Sequence, residues 1–280
     1  MAGIRIVTDS SCDLPFDLAE KHQIDIVPLT IRFGSDEYVD RRDLTPKEFW
    51  AKVKASPVLP ETAAPAPGLF EEAYRRAKAD GCTGVVAVTL SSDLSATYQA
   101  AELAARSVAD EIPVRVVDSR SLTTALGLMV ITAAETAESG ASIDEVVDAV
   151  EDIIPRTEVY AALDTLDNLK KGGRIGGAQA FLGSMLSIKP IINVSGGKVE
   201  QESKQRTRSK SLKYLADKVR DAGELSTLAV VHGDAPDVDE MLDLLAPVYP
   251  REKIIVADLG AVIGTHGGPR TLGITYQRAR

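Results

Sequence analysis

Short apolar runs alternate with longer amphipathic segments through the first half of the chain, and this alternation restricts the fold more than any other feature. Four runs have the length and character of buried strands, at residues 4–7, 24–31, 84–90 and 114–117. Helical segments lie at residues 15–22, 45–54, 69–78, 96–108, 122–138 and 142–155. Capping boxes begin two of them, at Thr45 and Ser142. Residues 57–67 are rich in proline and are predicted to form a loop. This order predicts right-handed βαβ units, and therefore an α/β fold with a mainly parallel sheet flanked by helices.

The sequence changes character near residue 155, because glycine pairs appear only after that point. They occupy residues 172–173, 176–177, 196–197 and 267–268. The pair at 196–197 lies between strand-like segments at 189–194 and 198–202, which predicts a hairpin. Further strands at 228–231 and 254–256 and a helix at 209–221 predict a second α/β unit. We therefore expect two domains, residues 1–155 with the parallel sheet and residues 156–280.

Hydroxyl and acidic side chains follow three of the predicted strands in the first half. These side chains are Thr8, Asp9, Ser10 and Ser11 after the first strand, Ser91, Ser92 and Ser95 after residues 84–90, and Asp118 and Ser119 after residues 114–117. The carboxyl ends of parallel strands share one edge of a sheet, where ligands bind and helix N-termini point. This edge suits an uncharged polar group, a carboxylate or a phosphate. Alternatively, each side chain only caps the helix that follows it.

Motifs for nucleotide binding and for common hydrolases are missing from the sequence. It has no GxGxxG, GxxxxGK[ST] or GxSxG motif, and no cluster with metal-ligand spacing, so no metal is expected. His266 lies among glycines that let the backbone approach a bound molecule closely. Ser95, His266 and Asp9 would supply the side chains of a triad, but triads are recognised by geometry and no spacing selects this one. A small hydrolase or phosphotransferase using Ser95 and His266 stays open as an alternative.

The formal net charge is −9, which argues against nonspecific nucleic-acid binding and against stable docking on anionic membranes. Two basic segments depart from this acidic background. One contains Arg174, and the other contains Arg206 and Arg208. Each segment is either ordinary solvated helix charge or a site for a phosphate, a carboxylate or an acidic partner.

The N-terminus and the cysteines indicate the compartment. The first residues lead into a strand without the apolar core of a signal peptide, and no apolar run reaches the roughly 18 residues that span a bilayer. Cys12 and Cys82 lie far apart, and we expect both to be reduced thiols. We therefore expect a cytoplasmic protein.

Five segments, in order along the chain, resemble the motifs of the DegV family. They are residues 8–14 (TDSSCDL), 90–101 (LSSDLSATYQAA), 166–175 (LDNLKKGGRI), 183–190 (GSMLSIKP) and 264–269 (GTHGGP). Together they extend over essentially the whole chain. The sequence departs from the family pattern at four positions, which are Ala63, Ala64, Ala96 and Arg270.

The resemblance implies a non-catalytic protein that binds a long-chain fatty acid. Relatives in this family have two α/β domains, with the fatty acid buried between or within them. The best-studied relatives are acyl-binding subunits of bacterial fatty-acid kinases, which serve phospholipid metabolism. Such a subunit presents the fatty-acid carboxylate to a separate ATP-using kinase and leaves with an acyl phosphate. The implied partners are therefore the fatty acid and a kinase subunit, with no nucleic acid, no cofactor and at most transient contact with a membrane surface.

The resemblance also implies a set of site residues. Thr62 and Ser95 would hydrogen-bond the carboxylate, with His266 close by. Ser92 and Thr265, which are neighbours in the same motifs, complete the candidate ligand-binding set. The kinase or the acyl phosphate would be met by Arg174, Arg206 and Arg208. No catalytic residue is implied.

Overall fold

The computed structural model describes residues 3–280, without the side chains of residues 182–187. A four-stranded parallel sheet forms the first half of the chain, in the order β2–β1–β6–β7. Its strands are β1 (Ile4–Asp9), β2 (Asp25–Val27), β6 (Gly84–Thr89) and β7 (Val114–Asp118), and between them in sequence come β3 (Thr30–Phe33), β4 (Asp36–Val39) and β5 (Glu61–Ala63). The helices of this half are α1 (Phe16–Lys21), α2 (Pro46–Ala55), α3 (Pro67–Ala79), α4 (Thr97–Ser107), α5 (Thr123–Glu138) and α6 (Ile143–Ile153). The predicted α/β fold with a helix-flanked parallel sheet is confirmed.

Helices cover both faces of this sheet. Every residue of β6 is buried, because α5 and α6 pack on one face and α3 and α4 on the other. Both predicted capping boxes are present, at the starts of α2 and α6. In each box the side chain of the cap accepts a bond from the third helical N–H, and a glutamate bonds back to the N–H of the cap.

A six-stranded mixed sheet forms the second half, in the order β10–β9–β8–β13–β11–β12. Its strands are β8 (Thr157–Ala162), β9 (Lys189–Asn193), β10 (Glu200–Gln205), β11 (Leu225–His232), β12 (Ile255–Asp258) and β13 (Leu272–Arg278). The helices are α7 (Asp167–Lys171), α8 (Arg208–Asp221), α9 (Val238–Leu245) and α10 (Ala261–Gly267). The predicted hairpin is confirmed as the antiparallel pair β9 and β10. Helices α8 and α9 cover one face of the sheet.

A small antiparallel sheet, β4–β3–β5, corrects two of the sequence predictions. The single strand predicted at residues 24–31 is two strands in different sheets. The chain breaks at Pro28, which has no N–H for a ladder, and the next N–H, on Leu29, bonds to Ser10 Oγ at 3.1 Å. The proline-rich segment 57–67, predicted as a loop, contains β5, which pairs with β3.

The two large sheets are separate in sequence, because one uses only residues before 119 and the other only residues after 156. The domain boundary near residue 155 stays a prediction. Contacts between the halves are extensive, and one apolar cluster joins Phe49 and Trp50 of α2 to Leu259 and Val262 around the start of α10. The second face of the six-stranded sheet is turned toward the start of α5. Within residues 3–280, no helix combines the length and apolar character needed to cross a membrane.

Candidate functional site

The carboxyl ends of β1, β6 and β7 meet at one edge, as predicted, but most of their polar side chains bond to one another. Asp9 accepts bonds from the N–H groups of Ser11 at 3.0 Å and Leu90 at 2.8 Å. Ser92 donates its Oγ proton to Asp118 Oδ2 at 2.5 Å. The capping alternative is correct for Asp9, whose side chain caps the 3₁₀ turn after β1. Ser92 and Asp118 cap none of the described helices and instead bond to each other across the sheet edge.

An apolar cavity of about 220 Å³ lies between this edge and the inward face of the six-stranded sheet. Its apolar walls come from both halves of the chain and include Leu29, Leu90, Leu94, Leu122, Val159, Leu163, Ile192, Val194, Val231, Leu259 and Ile263. The polar side chains in its lining are Thr62, Ser95, Thr123, Arg174, His266 and Thr271. The cavity therefore combines a mainly apolar surface with a small number of polar groups, which is the usual construction of a small-molecule site.

Thr62 and His266 form the central polar contact of the lining. Thr62 Oγ1 lies 2.9 Å from His266 Nε2. Strand β5 presents Thr62 and helix α10 presents His266, so the contact joins two short elements from opposite halves of the chain. Burial, helped by the positive charge of Arg174, lowers the pKa of His266 to about 4. The imidazole is therefore neutral near pH 7.

The tautomer of His266 decides whether the hydroxyl proton of Thr62 is available to a bound molecule. Nδ1 is buried and has no hydrogen-bond partner among the described residues. It faces Gly172, where a Cβ would collide with it. In the tautomer with the proton on Nε2, the imidazole donates to Thr62 Oγ1, and the hydroxyl proton of Thr62 is then free for a bound molecule.

A smaller polar recess of about 180 Å³ adjoins the cavity on the far side of these side chains. Thr62, Arg174 and His266 line both spaces. Asn168 and Lys171 are among the residues that line the recess but not the cavity. The guanidinium of Arg174 donates to the carbonyl oxygens of Leu94 at 3.1 Å and Gly172 at 2.6 Å. The three shared side chains thus separate an apolar space from a polar one.

Ser95 lies in the same lining, at the start of the segment that leads into α4. Its Oγ is 2.8 Å from Thr97 Oγ1 and accepts a bond from Thr97 N at 3.3 Å. No hydrogen bond joins Ser95 to His266 within the described part of the chain, and Asp9 is bonded elsewhere. The triad of Ser95, His266 and Asp9 considered above is therefore not assembled.

Four of the predicted site residues lie outside the cavity lining. Ser92 is bonded to Asp118, and Thr265 donates its hydroxyl proton to Ala261 O at 2.8 Å within α10, although it borders the recess. Arg206 is exposed beyond β10. Arg208 forms a two-bond ion pair with Asp237 at 2.6 and 2.9 Å, in which both side chains are largely buried.

Two residues that hold the site were not singled out from the sequence. Asn168 donates from Nδ2 to Thr265 O at 2.9 Å and so fixes the peptide next to His266. Gly172 provides the space for the imidazole. The only signal for either was their position in the segment 166–175. In the segment 183–190, the side chains of residues 183–187 lie outside the described residues.

A sequence model with the description "Uncharacterised protein, DegV family" matches residues 3–279. The chain belongs to the DegV family. A DegV domain-containing protein from Streptomyces coelicolor is 41% identical over 276 residues, which is 97% of both chains. The resemblance inferred from five segments is thereby confirmed over the full length.

Solved structures of other DegV proteins have the same fold. A DegV family protein from Thermus thermophilus, described by its fatty acid binding, has a TM-score of 0.90 and 34% identity, with 99% of this chain and all of that chain covered. DegV from Bacillus subtilis, described as a fatty acid binding protein, has a TM-score of 0.87 and 31% identity over the full length of both chains. Among the described residues there is no cluster of three or more His, Cys, Asp or Glu side chains that would hold a metal.

Proposed function

We propose that this DegV protein binds one long-chain fatty acid, with the acyl chain in the apolar cavity and the carboxylate at Thr62, Ser95 and His266. The observation that carries the proposal is the position of the Thr62–His266 contact, in the lining of an otherwise apolar cavity. The fatty-acid binding described for the DegV proteins of Thermus thermophilus and Bacillus subtilis supports it.

The energetics favour a ligand with a long apolar chain. Burial of each methylene contributes about 0.8 kcal/mol, so a long chain gains on the order of 10 kcal/mol before the costs of association. A buried carboxylate loses its water and needs donors in return. The hydroxyl groups of Thr62 and Ser95 and the guanidinium of Arg174 are such donors in the lining. Neutral His266 supports Thr62 by donating to its oxygen, so the acyl chain supplies affinity and the polar end supplies orientation.

We further propose that the protein is not itself an enzyme and presents the carboxylate to a separate fatty-acid kinase in the cytoplasm. The polar recess beside Thr62 and His266 gives a phosphate group a place next to the carboxylate, lined by Lys171 and Arg174. Glu61 also lines the recess, and its carboxylate is paired with Arg32. Exposed Arg206 is available for the partner or the acyl phosphate. Arg208 already has a partner in Asp237, so we assign it to holding the start of α8.

Mass spectrometry tests the binding proposal directly. We expect organic extracts of the purified protein to contain fatty acid, and the native mass to show one acyl chain per protein chain. His266→Ala should lower retention, whereas Arg106→Ala, on the exposed side of α4, should not. Absence of lipid together with no uptake of added stearic acid would exclude the carrier function. Turnover of an ester substrate that Ser95→Ala abolishes would instead support the hydrolase.

A further inference from the structure

We propose that Asp13 is a positioning residue for the head-group end of the cavity, because its one carboxylate holds the start of α10, which carries His266, and the start of α5, which carries Thr123. The inference rests on the proposed fatty-acid site and assigns no contact between Asp13 and the ligand. Asp13 follows the short 3₁₀ turn Ser10–Cys12 at the carboxyl edge of the parallel sheet.

Two hydrogen bonds tie Asp13 to distant parts of the chain. Oδ1 accepts from the backbone N–H of Gly260 at 3.0 Å, directly before the first residue of α10. Oδ2 accepts from Thr123 Oγ1 at 2.6 Å, and Thr123 lies in the cavity lining at the first position of α5. A buried carboxylate thereby joins three elements, one from the second half of the chain, around one side of the cavity.

The packing around Asp13 leaves little freedom to replace these bonds. A Cβ on Gly260 would lie only 2.5 Å from Asp13 Oδ1. On the other side, a Cβ on Gly127 of α5 would lie 2.7 Å from Cys12 O. Asp13 has φ 47° and Thr123 has φ 49°, and this left-handed region is unfavourable for residues with a Cβ, most of all for a β-branched one. Their mutual hydrogen bond fixes both residues in a conformation that neither prefers alone.

His266 depends on this anchor because α10 is short. The helix has seven residues, so a shift at Gly260 is transmitted to His266 less than two turns later. Thr62, the partner of His266, is on β5 and would not move with α10. A small displacement of α10 therefore changes the contact between Thr62 and His266. Asn168 and Trp50 also hold this region, through Thr265 O at 2.9 Å and Leu259 O at 3.1 Å, and they keep the helix folded when Asp13 is altered.

Hydrogen-bond acceptance, rather than negative charge, is the property of Asp13 that matters here. Burial and the nearby Asp40 raise the pKa of Asp13 to about 7, against the lowering effects of its two bonds and of Arg41. The surroundings of Asp13 therefore do not favour its ionised form. An amide of the same shape keeps an acceptor for the Gly260 N–H, and its NH₂ donates to Thr123 Oγ1, which accepts as readily as it donates. We thus expect Asp13→Asn to preserve the arrangement and Asp13→Ala to lose it.

The test measures head-group selectivity rather than total binding. Delipidated protein is mixed with vesicles containing equal amounts of stearic acid and methyl stearate, and mass spectrometry gives the ratio of the two lipids bound to the protein. Wild type should prefer the acid. Asp13→Ala should reduce this preference about tenfold, as expected when one hydrogen bond to the carboxylate is weakened. Asp13→Asn should stay within about twofold of wild type, and so should Asp17→Ala, an exposed control on α1.

The imidazole signals provide a second readout, because the chain has only three histidines. In ¹⁵N-histidine-labelled protein, Asp13→Ala should shift the His266 signals and leave those of His22 unchanged. If Asp13→Ala does not fold, Gly260→Ala serves instead, because its Cβ would displace the Asp13 carboxylate. It should likewise reduce the preference for the acid and shift the His266 signals. Equal losses of acid and ester, or unchanged His266 signals, would overturn the positioning role. Failure of wild type to bind stearic acid would instead overturn the proposed function.

Discussion

Thr62 Oγ1 lies 2.9 Å from His266 Nε2, although 204 positions separate the two residues in the chain. The contact depends on the small sheet that carries β5 and on the packing of α10 against α2 and β3 of the first half of the chain. Neither residue has a partner of this kind in its own neighbourhood of the sequence. The polar end of the cavity is therefore a product of the tertiary fold, and substitutions that disturb either element should affect it.

Removal of the Thr62 hydroxyl should weaken fatty-acid binding without unfolding the protein. Thr62→Val keeps the shape of the side chain but removes the proposed donor to the carboxylate and the hydrogen-bond partner of His266 Nε2. Hydrogen bonds to charged groups contribute about 1.5–3 kcal/mol, so we expect a roughly tenfold to hundredfold increase in the Kd for stearic acid. Competition binding would measure it. Thr83→Val, an exposed threonine directly before β6, should have no effect, and equal Kd values for all three proteins would contradict a carboxylate contact.

Addition of one methyl group at Gly172 should displace His266. A Cβ at this position would collide with His266 Nδ1, so Gly172→Ala forces the imidazole away from Thr62 or α7 away from α10. We expect a loss of fatty-acid affinity comparable to that of Thr62→Val. Gly68→Ala is the matched control, because a Cβ there meets no atom within 4 Å and its helical position favours alanine. Similar affinities for the two variants would show that the close packing of His266 against Gly172 does not affect fatty-acid binding.

The parallel sheet could be predicted from the sequence because its strands are continuous apolar runs separated by helices of regular spacing. The location of a polar edge followed from the same pattern. The environment of each side chain at that edge did not, because Ser92 and Ser95 differ by three positions and only the tertiary fold decides that one bonds to Asp118 and the other lines the cavity.

Strand β5 was missed for a different physical reason. Three residues among prolines carry no measurable period, and the pairing of Thr62 with Ile31 is decided by a strand more than thirty positions earlier. Arg208 shows the same limit for charge. From the sequence alone, its basic segment is either solvated helix charge or a site for an anion or acidic partner. The partner it has in the structure, Asp237, lies in a distant segment whose proximity the sequence does not reveal.

His266 should make the stability of the protein depend on pH in a defined direction. Its pKa is lowered from 6.5 to about 4, so between these values the unfolded chain binds a proton that the folded protein does not. The free energy of unfolding contributed by this group is therefore constant above pH 6.5 and falls as the pH drops toward 4, by about 1.4 kcal/mol per pH unit at most.

Urea denaturation of wild type and His266→Gln between pH 4.5 and 7.5 would isolate this effect. The raised pKa values of the buried carboxyl groups of Asp9 and Asp13 act in the opposite direction, but they are common to both proteins and cancel in the difference. Wild type should lose stability relative to the variant as the pH is lowered. A difference that does not change with pH would mean that the folded imidazole titrates normally.

A large side chain in the cavity lining should weaken the binding of long fatty acids more than that of shorter ones. Ala161 of β8 lines the cavity and pairs across the sheet with Gly273 on one side and Ile192 on the other. Ala161→Phe would extend a ring into space meant for methylene groups, so the Kd for stearic acid should rise at least tenfold, while lauric acid, with six fewer carbons, should be affected less. Because the ring fills a cavity rather than a packed core, the melting temperature should stay equal or rise. Ala109→Phe, at an exposed position after α4, is the control. Unchanged Kd values for both acids in Ala161→Phe would place the acyl chain outside this cavity.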